Sequence, residues 1–145
     1  MISTTNIEHA KNLIKKSTEK PIIVKAQNLE FNRKILEYGK FDIILSIEST
    51  SQREDTPKSI DSGLNHVLGK IASKNNISLG IDLKEIQSLD KKQKAIRISK
   101  IIQNIKVAGK TKTKIKLLNF KDKRIAFSFL ISLGASTNQA SEAVK

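Results

Sequence analysis

Four short apolar runs, each followed by a stretch with helical spacing, constrain this chain more than any other feature. They are "PIIVKA" (21–26), "DIILSI" (42–47), "ISLGID" (77–82) and "KIKLLNF" (114–120). Each is short and mostly β-branched, as buried strands are. Between them lie stripes at i, i+3, i+4 and i+7, the mark of a helix with one buried face. Strands alternating with helices make β-α units, and right-handed crossovers then make the sheet parallel. The expected fold class is α/β, a truncated TIM-barrel-like (β/α) array of about four parallel strands with helices. An eight-unit barrel needs about 250 residues. The chain has 145, so residues 1–145 are expected to form a single half-barrel-like domain. Its open edges then need a partner, a second copy or a terminal helix to cover them.

Helix boundaries follow from capping chemistry. Thr5 with Glu8 predicts a capping box for a helix carrying Ile7, Ala10, Leu13 and Ile14. Asn28 opens a helix that stops at Gly39, and Asp61 or Ser62 is expected to cap the one bearing Leu64, Val67, Leu68, Ile71 and Ala72. Asn75-Asn76 can supply its left-handed stop. Asp90 starts a helix over about 91–108 with Ile98, Ile101, Ile102 and Ile105 inward, and Asp122 and Ser136 cap the last two. The polar segment 48–59 is expected to be a flexible loop.

Absences narrow the chemistry. Without cysteine, disulfides, thiolate zinc and cysteine nucleophiles are excluded. No stretch approaches the length of a membrane span, and "MISTTNIEHAKNL" lacks an apolar signal-peptide core. A soluble, cytoplasmic protein without membrane contact is therefore expected. Glu48 and Asp82 fall at strand C-terminal ends, where paired carboxylates can run acid-base chemistry or hold magnesium. Without a surrounding motif they read better as caps of the following helices. His9 and His66 each lack a second ligand at helical spacing. His66 is expected on the outer side of its helix. No nucleotide-binding glycine loop or nucleophile elbow is present. No catalytic residue and no metal ligand are assigned, and no cofactor is expected on the protein.

Charge is distributed unevenly. The net charge is +13, yet residues 1–90 hold 13 basic and 12 acidic side chains. Residues 91–124 hold 13 basic side chains and one acid, Asp122. Biased codon usage would spread lysine evenly, so this region is expected to face a polyanion. Arg97, Lys100 and Asn104 share one flank of a helix. Lys110, Lys112, Lys114 and Lys116 alternate in "GKTKTKIK" and would project to one side if extended. Lys121, Lys123 and Arg124 follow the fourth strand. These ten residues are the candidate RNA contacts. Phe120 is the one aromatic near them, which favours recognition of backbone and shape, as with folded or duplex RNA, over base stacking.

The stretches "NRKILEYGKFDIIL" and "GLNHVLGKIASKNNISLGIDL", the Arg97–Asn104 helix and the closing "SLGAS" together resemble archaeal ribonuclease P protein component 3. A eukaryotic relative is the thirty-kilodalton subunit. The best-matching positions are Arg33, Asp42, Asn65, His66, Ala72, Asn75, Arg97, Asn104 and Gly134. The resemblance implies a barrel related to metal-dependent phosphoesterases of the polymerase and histidinol phosphatase type. It also implies a non-catalytic role within a ribonuclease P holoenzyme. The chain would pair with component 2 and support the catalytic RNA, which holds the magnesium and removes 5′ leaders from precursor tRNA. The family's opening "DLHV"-like strand has no counterpart here, so a short form lacking the N-terminal part of the barrel is expected. A stand-alone phosphoesterase and a general structured-RNA binder are the alternatives.

Overall fold

The computed structural model describes residues 1–49 and 61–145. Four strands, β1 (Ile23–Lys25), β2 (Ile43–Leu45), β3 (Ser78–Asp82) and β4 (Ile115–Leu118), form one sheet in sequential order. Every pairing is parallel. Seven α-helices accompany them among the described residues: α1 (Ile7–Lys16), α2 (Leu29–Tyr38), α3 (His66–Lys74), α4 (Leu83–Gln87), α5 (Lys91–Thr111), α6 (Lys123–Ser132) and α7 (Thr137–Ala143). This is the expected open, barrel-like α/β array. Sequential strand order with same-handed crossovers puts the connecting helices on one side, where α1 packs on α2, α2 on α3 and α3 on α5.

Register explains the core. Val24, Ile44, Leu79 and Ile115 align across the four strands and join Ile35, Leu68, Ile101 and Ile105 in one buried cluster. Each such side chain contributes about 1.5–3 kcal/mol relative to exposure. The opposite face would be the interior of a closed barrel. Here Ile43 and Leu45 fold over Gly80, where an added Cβ would stand 2.6 Å from Ile43 Cγ2 and 3.1 Å from Leu45 Cδ1. Both are buried although, among the described residues, no strands lie opposite. The sheet edges are covered from within the chain: Ile2 forms a parallel bridge to Val24, and α7 packs on β4.

Every one of the seven helices opens on an Asn, Asp or Ser cap, worth about 1 kcal/mol each. Asn28, Asp90, Asp122 and Ser136 cap as expected. Two caps move. Asn6, a stronger cap than Thr5, accepts from the His9 N–H. Asn65 rather than Asp61 or Ser62 caps α3. Asp61 accepts from the Gly63 N–H and Ser62 Oγ donates to the Leu64 carbonyl, while Gly63 takes φ 82. Those local bonds make a turn before the helix, so Leu64 is buried ahead of α3 and Val67 is left 54% exposed. Asn76, at φ 59, makes the left-handed stop. Asp82 caps the following helix as expected, although that helix, the short α4, is not among the elements the sequence delimits.

Other boundaries also shift. Of the expected loop 48–59, residues 50–59 lie outside the described residues. Ile47–Ser49 instead forms a 3-10 turn with Glu48 buried. Helix α5 runs three residues past 108, because the Thr111 hydroxyl donates back to the Val107 carbonyl and Lys112 closes the helix at φ 59. Ile101 and Ile105 point inward, but Ile102, a further 100° round the helix, is 43% exposed.

Candidate functional site

In parallel α/β folds the C-terminal ends of the strands bring separate segments together. Here that end holds a compact set of charges. Glu85, in the first turn of α4, is the hub. Its Oε1 accepts from Arg97 Nη1 at 2.8 Å, and its Oε2 accepts from Ser46 Oγ at 3.0 Å and Lys25 Nζ at 3.4 Å. Arg97 also lies 3.6 Å from Glu48 Oε1. Only 14% of its side chain is exposed, and 2% of that of Glu48. Asp82 caps α4 and accepts from Asn119 Nδ2 at 2.9 Å.

The two glutamates respond oppositely to this setting. Burial raises Glu48 from 4.5 to about 7, further than its own backbone N–H, Arg97 and Lys25 can pull it down, and the Glu85 charge adds to the rise. Burial raises Glu85 as well. There the hydrogen bonds and charges of Arg97, Lys25 and Ser46 outweigh it and leave the carboxyl below its ordinary value.

Glu48 also meets α5 from within. Its Oε1 and the Oδ1 of Asn104 are buried and, among the described residues, neither has a hydrogen-bond partner. Both residues line one cavity of about 10 Å³ between α5 and the sheet, the lower limit for one water molecule. Two acceptors cannot satisfy each other. A proton on Glu48 or a bound water supplies the missing donor. Asn104 spends its own donor on the Ser62 carbonyl at 3.0 Å.

These positions revise the flank Arg97–Lys100–Asn104. The three do share a helical face, but it turns inward. Lys100 and Asn104 are 9% and 4% exposed, and Arg97 is committed to carboxylates brought from other segments. No aligned phosphate contact from these three is available in the folded chain. Nor do the carboxylates present a cation cradle: a guanidinium stands between Glu48 and Glu85. Among the described residues no group of three or more His, Asp or Glu is arranged to hold a metal.

The other seven candidate contacts divide between the two ends of β4. Lys110 is helical and Lys112 left-handed, so "GKTKTKIK" is not one extended strand. The alternation of exposure nevertheless holds, with Thr111, Thr113 and Ile115 buried and Lys112 and Lys114 exposed. Thr111 and Thr113 share a hydroxyl bond at 2.8 Å, and Thr113 donates to the Gly69 carbonyl. Lys116 is half-buried and donates to the Glu142 carbonyl. Lys121, Lys123 and Arg124 are exposed at the far end of the strand, at least its length of about 13 Å away. Asp122 fills the N-terminus of α6 with its own carboxylate.

Sequence reasoning passed over Glu85, Ser46 and the lysines of α3. The signal for the last was legible: residues 62–81 contain no acid. The signal for Glu85 was the spacing Asp82-x-x-Glu85, a cap with an acid one turn on. His66 is exposed, as expected.

No family model matches the sequence, and no curated protein matches it. Among solved structures the chain is similar to a chain of the cryo-EM structure of archaeal ribonuclease P with mature tRNA. The TM-score is 0.74 at 22% sequence identity, covering 98% of this chain and 62% of the other. The likeness is one of fold, and this chain spans 62% of that neighbour's length. No helix among the described residues is long and apolar enough to cross a membrane.

Proposed function

We propose that the chain is an RNA-binding protein subunit of ribonuclease P, of the component 3 type. The observation that carries this is the likeness of nearly its whole length to a chain of an archaeal ribonuclease P. The excess of cations between residues 91 and 124 agrees with it. On this reading ribonuclease P RNA and precursor tRNA are the nucleic-acid partners and component 2 is a protein partner. The RNA carries the magnesium and cuts the 5′ leader. The protein supplies cations and shape.

The alternative of a stand-alone phosphoesterase loses support at the strand ends. Arg97 pairs with Glu48 and, with Lys25, holds Glu85, while Asp82 is spent on capping α4 and on Asn119, so no hydrolytic step is routed through them. A mobility-shift titration of the full chain with ribonuclease P RNA over rising salt tests the proposal. Affinity should fall steeply with salt, and reversing charge at Lys112, Lys114 and Lys116 should flatten the slope. Failure to bind that RNA sinks the subunit assignment. Equal affinity for unrelated structured RNAs would make the chain a general RNA binder instead.

A further inference from the structure

Exposed lysines outside ion pairs among the described residues extend beyond the 91–124 region to Lys70 and Lys74 on α3. Helices α3 and α5 lie side by side, drawn together where Gly69 meets Thr111: a Cβ on Gly69 would stand 2.6 Å from Thr111 Oγ1. Ser73 Oγ reinforces the contact by donating to the Lys112 carbonyl at 3.1 Å. Along the outer side of α3, His66, Lys70 and Lys74 follow at four-residue spacing and are exposed. Along the outer side of α5, Ser99, Gln103, Lys106 and Lys110 follow at spacings of four, three and four and are also exposed. Packed helices sit about 8–10 Å apart, and four residues of helix rise about 6 Å. The contacts of Asn104 with Ser62 and of Gly69 with Thr111 stagger the two rows, so the ammonium groups run on from Lys106 and Lys110 of α5, past Lys112, to Lys70 and Lys74 of α3.

Neither helix contains an acid, nor do residues 62–81 or 91–121 as a whole. Among the described residues none of Lys70, Lys74, Lys106, Lys110 and Lys112 forms an ion pair, whereas Lys34 and Arg33 on α2 are matched by Glu30 and Glu37. Helix C-termini favour cations, which covers Lys74 and Lys110 at the last turns. It does not cover Lys70, Lys106 or the exclusion of acids over both helices. The topology sets the cations of this strip toward the N-terminal end of the sheet, where α3 and α5 deliver the chain to β3 and β4. Lys121, Lys123 and Arg124 lie at the opposite end, and one rigid duplex backbone cannot follow both along the same path.

Resting on the RNA-binding reading above, we infer that the outer face of α3 and α5 is the surface that takes the sugar-phosphate backbone of an RNA duplex. Lys70, Lys74, Lys106, Lys110 and Lys112 meet phosphates, and His66, Ser99 and Gln103 supply further hydrogen-bonding groups. Two cation rows on a rigid helix pair, with no aromatic among these residues, suit backbone and shape rather than splayed bases. The Gly69–Thr111 contact holds the rows at this stagger.

The test is fluorescence anisotropy of the full chain with an RNA duplex of about 20 base pairs, the matching single strand, and ribonuclease P RNA, over a series of salt concentrations. Two variants are compared: Lys70→Gln/Lys74→Gln/Lys106→Gln/Lys110→Gln, and Lys121→Gln/Lys123→Gln/Arg124→Gln. The first should make the plot of log affinity against log salt shallower by about 3, and the second should change it by clearly less. Wild-type chain should prefer duplex to single strand. Thermal unfolding of each variant checks the fold, with Lys70→Gln/Lys106→Gln as the milder substitute. Equal losses in both variants, a loss only in the second, or a preference for single strand overturns this face while RNA binding stands. No binding to any of the three RNAs overturns the face and the subunit assignment together.

Discussion

The two ends of the parallel sheet hold charge in opposite ways. At the C-terminal end Lys25, Glu48, Glu85 and Arg97 are mutually paired and largely shielded. At the N-terminal end Lys70, Lys74, Lys106, Lys110 and Lys112 stand exposed with no acid on their helices. The difference separates two uses of one residue type. A buried pair is costly to break because the surviving charge is stranded. An exposed cation without a partner is cheap to remove and ready for an external anion. Substitutions at the upper end should therefore act on stability, and those at the lower end on binding.

The largest effect should come from Arg97→Met. It strips Glu48 of the one cation paired with it among the described residues and leaves Glu85 to Lys25 and Ser46, and denaturant unfolding should show a loss of about 3 kcal/mol without a shallower salt dependence of RNA binding. A change in the salt slope would break the division between the ends. Next is pH. Folded Glu48 keeps its proton up to about 7, whereas the unfolded group releases it near 4.5. The folded state therefore binds more protons in that interval, and this group's contribution to stability falls by up to about 3 kcal/mol as pH rises from 4.5 to 7. Glu85 is shifted downward, so its contribution is present above its unfolded value and is lost only as pH falls through its lowered one. Unfolding curves for wild type and Glu48→Gln across that range should converge at low pH and diverge toward neutrality. Parallel curves would remove the proton from Glu48.

Gly69→Ala should cost about 1–3 kcal/mol by overpacking against Thr111, partly offset by the better helix propensity of alanine, about 1 kcal/mol. It should also weaken duplex binding by spreading the two cation rows. The smallest stability change belongs to Lys70→Gln/Lys74→Gln, within about 0.5 kcal/mol, although the salt slope should still drop by about 1.5. A marked loss of stability there would show that these lysines are structural after all.

The strands and most helix caps were legible because they rest on local signals: β-branched runs, Asn, Asp or Ser ahead of an apolar stripe, and glycine or asparagine at a stop. The candidate site was legible only in part. The spacing of Arg97, Lys100 and Asn104 correctly put them on one helical face. What that face meets is set by Glu48 and Glu85, far away in the chain, and no window of sequence contains that information. Glu48 is a case in point. It heads a polar run and reads as the start of a loop, yet tertiary packing buries it. In "GKTKTKIK" the burial alternates as a strand would, while the backbone is helical up to Thr111 and left-handed at Lys112. Side-chain polarity reports which groups face water. It does not distinguish the backbone shapes that achieve it.

Gly80 has a wider consequence. In a closed barrel, side chains from strands opposite would stack into the space above it. Here Ile43 and Leu45 occupy that space, so the inner wall is lined by the half that makes it. A larger residue at position 80 would have to push Ile43 or Leu45 outward. Such a substitution would open a seat beside position 80 for whatever strand or side chain could refill it.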